Sequence, residues 1–124
     1  MNRQEVFTKV VDHLMTQGVK SQNNKNLCMY RGPNGTSCAV GCLIPDDKYD
    51  KAFEEHGLGA FENDEEDIVN RIMEAVGFPD DSKMHAFLST LQNIHDSYAV
   101  SDWPRELIAL AERDGLDIDL TPYE

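Results

Sequence analysis

Val6, Phe7, Val10, Val11 and Leu14 recur at the three- and four-residue spacing of a single helix face, and Gly18 closes the run. Asn2 followed three positions on by Glu5 has the form of a capping box, so the pattern predicts a first helix between Asn2 and Gly18. Lys20 to Asn26 contains no apolar residue and reads as a loop. Leu27 to Arg31 has the character of a short strand, broken by Gly32-Pro33-Asn34-Gly35. Asn-Gly supplies the positive φ angles of a tight turn, so Thr36 onward is expected to pair back onto Leu27–Tyr30 as a hairpin. Ser37 is expected to cap a short helix from Cys38 to about Ile44, halted by Pro45. Asp46 to Glu55 reads as another short helix, followed by the Gly-containing stretch His56-Gly57-Leu58-Gly59.

The rest of the chain is helical in pattern. Asn63 or Asp64 begins a helix with Ile68, Ile72, Met73 and Val76 on its apolar side, ended by Gly77 and Pro79. Asp80, Asp81 and Ser82 are all suitable caps for the next helix, where Phe87, Leu88, Leu91, Ile94, His95 and Tyr98 share one broad stripe. Trp103-Pro104 starts a last helix that runs through Leu107, Ile108, Leu110 and Ala111 to Gly115. The tail Leu116-Asp117-Ile118-Asp119-Leu120 alternates apolar and acidic residues, as a short strand or an extended docking segment does. The expected fold is mainly α: a small single helical domain over 1–124 with one short β-hairpin. Its expected core is Val6, Val10, Leu14, Cys38, Val40, Cys42, Leu43, Ile68, Ile72, Leu88, Leu91, His95, Leu107 and Leu110.

Composition narrows the function classes. The 124 residues, 40% of them hydrophobic, supply one core. The longest apolar run, Cys38 to Ile44, falls far short of the roughly 20 residues that span a bilayer, so no membrane association is expected. No basic, apolar, then small-residue leader opens the chain, and three cysteines cannot all pair, so reduced thiols in a cytoplasm are expected. The net charge of -12 argues against direct nucleic-acid binding, because phosphate contacts need a basic face.

That charge is unevenly spread. Residues 1–45 carry five bases against two acids, 46–81 three bases against thirteen acids, and 82–124 three bases against eight acids. An acidic block of this kind is ordinarily a solvated face or a helix start. Its sharper reading is a surface that attracts a basic partner.

Cys28 to Asp50 holds all three thiols and has unusual local chemistry. Cys28, Tyr30, Arg31 and Gly32, then Asn34-Gly35, then Cys38-Ala39-Val40-Gly41-Cys42-Leu43-Ile44-Pro45-Asp46, with Tyr49-Asp50 after it, form a recognisable signature. In it the chain resembles a group of small uncharacterised proteins from bacteriophages, prophages and bacteria. Leu91-Gln92, His95-Asp96 and Trp103 extend the likeness. The resemblance implies a phage-like origin, hence the cytoplasm of a host cell, and a shared fold. It implies no reaction.

Three chemical readings of this stretch stand side by side. Cys28, Cys38 and Cys42 with His95 make a ligand set acceptable to zinc, although only Cys38 and Cys42 approach the usual paired spacing; no metal or other cofactor is expected. Cys38, at a helix start after Gly35-Thr36-Ser37, is the nucleophile of a thiol enzyme if His95 serves as base and Asp96 orients it. Against that, neighbouring side chains on a helix point about 100° apart. The third reading is architectural. Tyr30, Arg31, Gly35, Cys38, Gly41, Cys42 and Trp103 specify the fold, with Gly41 admitting another backbone and Arg31 forking onto Asp46, Asp50 or Asp96.

The architectural reading is preferred, and with it a non-enzymatic accessory protein, monomeric or a homodimer, that binds a host or phage protein. The expected contact surface is Asp46, Asp47, Asp50, Glu54, Glu55, Glu62, Asp64, Glu65, Glu66 and Asp67, and the partner basic, for instance a nucleic-acid-handling protein. The alternative is a small cysteine-dependent enzyme using Cys38 and His95.

Overall fold

Four α-helices dominate the computed structural model, which describes residues 1–54 and 66–124; of Glu66 only the backbone is described. They are α1 (Arg3–Gln17), α2 (Glu66–Val76), α3 (Ser82–Ser97) and α4 (Trp103–Asp114). Local chemistry sets their ends. The Asn2 side chain accepts the Glu5 N–H while Glu5 accepts the Asn2 N–H, completing the capping box. Asp81 caps α3 by accepting the Met84 N–H at 2.9 Å, and Pro104 lies in the first turn of α4. Gly18 and Gly115 close α1 and α4 in the left-handed conformation, at φ 67° and 66°.

One continuous core joins the helices. Val6, Val10 and Leu14 of α1, Leu88 and Leu91 of α3, and Leu107 of α4 are fully buried, with Phe7 and Phe87 meeting at 6.5 Å between ring centroids. Of the expected core residues, Cys42 and Ile68 are only partly buried and pack against its edge. On α2 the buried stripe keeps the expected Ile72, Met73 and Val76 and takes Val69 in place of Ile68.

Between α1 and α2 the chain departs from expectation. No strand forms among the described residues. In place of the hairpin there are two isolated antiparallel bridges, Gln22 with Cys28 and Arg31 with Ser37. Asn34 and Gly35 do take positive φ angles, 61° and 74°, but Pro33–Gly35 winds into a 3₁₀ turn. Beyond Arg31 and Ser37 the backbone turns to other partners, so no ladder propagates. The expected helix after Ser37 is a single tight turn, Cys42 N–H to the Cys38 carbonyl, running into a 3₁₀ turn Gly41–Leu43. Residues 46–53 form two further 3₁₀ turns, Asp46–Lys48 and Lys51–Phe53, rather than one helix.

The alternating tail is an extended segment docked on α1. Gln4 clasps both backbone groups of Asp117, and the Tyr123 hydroxyl donates to Asp12 at 2.8 Å.

Candidate functional site

The last turns of α3 bring Gln92, His95 and Asp96 to the loop that follows α1. His95 is completely buried. Its Nε2 accepts the backbone N–H of Ser21 at 3.0 Å. A backbone N–H can only donate, so Nε2 carries the lone pair and the neutral ring's proton sits on Nδ1. Nδ1 donates in turn to Asp96 Oδ1 at 2.7 Å, despite the angle between neighbouring helix positions. Trp103 stacks on the same ring, 5.5 Å between centroids and 27° between planes.

Gln92 extends the network. Its Oε1 accepts the Val40 N–H at 3.0 Å and its Nε2 donates to Asp96 Oδ1 at 2.9 Å. Ser21 hands the connection on to Met29, whose carbonyl accepts the Ser21 hydroxyl and whose N–H reaches the Ser21 carbonyl. Two buried polar side chains of α3 thus hold both arms of the signature stretch.

Cys28 completes a cluster there. One donor atom each from Cys28, His95 and Asp96 lie within 4.8 Å of one another. A metal ion would need a ring lone pair, and the single lone pair of a neutral imidazole is taken by Ser21. The ring therefore contributes no ligand in this arrangement, which leaves a thiol and a carboxylate. Burial and the Asp96 charge push the Cys28 thiol up to about 11, so it remains S–H at neutral pH.

The arrangement expected of a Cys38 enzyme is not what the structure contains. Cys38 is 1% exposed, and its Sγ accepts the Gly41 N–H at 3.3 Å. Burial, the largest influence, drives its thiol far above the ordinary range, the opposite of an activated thiolate. Both nitrogens of His95 are engaged elsewhere, so the ring has no free acceptor for a Cys38 proton. His95 and Asp96 do meet, but the thiol beside them belongs to Cys28.

The signature residues act on one another. The Arg31 guanidinium donates to Asp46 and to the Ile44 carbonyl, each at 2.6 Å, and lies over the Tyr49 ring at 5.0 Å. Gly41 passes so close to Tyr30 that an added Cβ would lie 2.1 Å from the Tyr30 carbonyl oxygen. Trp103 is buried to 1%, and its indole N–H finds no acceptor among the described residues.

Several acids of the expected contact surface are drawn into the fold. Glu54 accepts the consecutive backbone N–H groups of Tyr30 and Arg31 at 2.9 and 3.1 Å, and the Tyr49 hydroxyl as well. Asp50 accepts the Ala52 N–H and pairs with Arg71. Asp46 pairs with Arg31 yet leaves 94% of its side chain exposed, and Asp47 and Asp67 are exposed too. Glu55, Glu62, Asp64, Glu65 and the Glu66 side chain lie outside the described residues.

Sequence reasoning missed Ser21 and the grip of the α1 pair His13 and Gln17 on Ser37; it named Gln92 only within the resemblance and Glu54 only as a surface acid, and gave neither its backbone partners. The four-residue spacings of Gln92 with Asp96 and of His13 with Gln17 are a signal for shared helix faces. Nothing in the sequence marks the backbone groups they reach. Compared with known proteins, the chain matches no protein-family model, no curated protein and no solved structure.

Proposed function

We propose that this chain is a phage-type accessory protein that acts by binding a basic protein partner, not by catalysis. The observation that carries the reading is charge. The chain is -12 overall, with thirteen acids against three bases over 46–81. Of those bases, Arg71 is paired with Asp50. Asp47, Asp67 and Glu74 remain exposed, on the Asp46–Lys48 turn and on α2. A surface of one sign steers an oppositely charged partner and sets its register. The network around His95 supports the same reading, because its donors and acceptors are spent on holding loops.

The test is capture from the native host at low salt, followed by salt elution. A complex that weakens as salt rises, and is lost on reversing Asp47, Asp67 and Glu74 together to Lys, supports the reading. A complex indifferent to both overturns it.

A further inference from the structure

We propose that the cavity between α1 and residues 117–123 receives one arginine side chain of the basic partner.

The walls of the cavity are fixed. It measures about 240 Å³, with Phe7 and Val11 of α1 as its floor and Ile118 and Tyr123 on its far side. Leu116, Ile118, Leu120 and Tyr123 pack against the core, Gln4 clasps both backbone groups of Asp117, and the Tyr123 hydroxyl donates to Asp12. Thr8, Asp117 and Asp119 around it are exposed, so it opens to solvent. Its volume lies below the roughly 300–1,000 Å³ of small-molecule pockets and suits a single long side chain.

Charge selects the occupant. Asp117 and Asp119 line the cavity, and no base does. Among the described residues neither carboxylate pairs with a base. Asp119 accepts from the Thr121 hydroxyl and N–H, which hold its carboxyl below the ordinary range and keep it ionised. The two bases of α1 are turned elsewhere: Arg3 lies over the Phe87 ring, and Lys9 lines the groove on the Cys42 side of the helix.

The chain itself shows which cation suits such a place. Arg31 lies over Tyr49 and pairs with Asp46, and Arg71 lies over Phe53 and pairs with Asp50. Arg3 lies over Phe87, 3.8 Å from Asp114. Each joins a guanidinium to an aromatic ring and an aspartate. The cavity offers the Tyr123 ring, two aspartates and an apolar floor for the methylene stem. A guanidinium is flat and weakly hydrated, so it stacks and sheds water more readily than an ammonium. The inference rests on the reading of a basic partner and adds to it one side-chain anchor outside the 46–81 block.

An NMR titration of the full chain tests the site without the partner. The probe is acetyl-Gly-Arg-Gly-amide, set against the same peptide with lysine or with citrulline, the neutral isostere of arginine. The arginine peptide should give saturable amide shifts at Thr8, Val11, Ile118 and Tyr123, and bind about fivefold tighter than the citrulline peptide. Asp117→Asn with Asp119→Asn should weaken it about fivefold while the melting temperature is kept. Thr8→Phe, at an exposed helix position beside the mouth, should abolish the shifts. Shifts that never saturate or fall elsewhere, a citrulline or lysine peptide that binds as well, or variants that bind like the parent overturn the site. Those results leave capture of a partner at low salt standing, whereas a failed capture beside saturable arginine binding strikes the partner reading and not the site.

Discussion

His95 on α3 accepts the backbone N–H of Ser21, 74 positions away in sequence, at 3.0 Å. That bond fixes the imidazole tautomer and ties the loop after α1 to the last turn of the third helix. A histidine with this geometry is a structural acceptor and donor at once, and its two neighbours determine what it can no longer do.

Ring nitrogen shifts should accordingly report a proton on Nδ1 and none on Nε2. His95→Phe keeps a ring against Trp103 but strands the Ser21 N–H in the interior and removes a donor from Asp96. Urea denaturation should register a loss of about 2–3 kcal/mol. A variant as stable as the parent would show that the network holds nothing.

Two glycines of the signature should respond differently to alanine. Gly41→Ala drives a methyl to 2.1 Å from the Tyr30 carbonyl oxygen, and backbone cannot step aside as a flexible side chain can. A loss of about 3 kcal/mol or more, or failure to fold, is expected. Gly35 has nothing within 4 Å of its would-be Cβ and is limited only by its φ of 74°. Its substitution should cost about 1 kcal/mol. Thermal melts of the pair give the comparison.

Glu54 belongs to the interior logic of the signature more than to the outer surface. Glu54→Ala leaves the N–H groups of Tyr30 and Arg31 and the Tyr49 hydroxyl without their acceptor. Denaturant titration should show about 2 kcal/mol of destabilisation. Asp47→Ala, at an exposed turn, should stay within about 0.5 kcal/mol of the parent. Equal effects would return Glu54 to the solvated face.

The three thiols should be slow rather than activated. Burial pushes Cys28 up to about 11 and Cys42 up to about 12, and Cys38 higher still. At pH 7 each should react with iodoacetamide more slowly than free cysteine, Cys28 first and Cys38 last, with the Cys28 rate climbing as pH approaches 11. Stability follows the same sign. Above the ordinary thiol value of 9.0 the unfolded chain releases protons that the folded chain keeps. Stability should therefore fall with rising pH from about 9 toward 12 for Cys42, and lie flat below 9 as far as the thiols are concerned. A Cys38 that labels fastest at pH 6–7 would contradict both its burial and the reading of the site.

Much of the chain was determined by short-range rules that a sequence carries openly. The capping box of Asn2 and Glu5, the left-handed glycines at 18 and 115, and the apolar stripes of α1, α3 and α4 depend on neighbours within a few residues. The close approach at Gly41 was legible for the same reason, since a glycine between Cys38 and Cys42 in a short helical segment leaves room for another backbone. Only the tertiary structure decided the rest. Asn34 and Gly35 turn as their types require, but whether a turn grows into a hairpin depends on what else its flanks can bond. Here Gln17 takes the Ser37 N–H and Glu54 those of Tyr30 and Arg31, so no ladder forms. Cys28, not Cys38, meets Asp96, because the loop carrying it is pinned by Ser21 to a histidine 74 positions on. Contacts of that separation are chosen by the packing of α1 against α3, which no local pattern encodes.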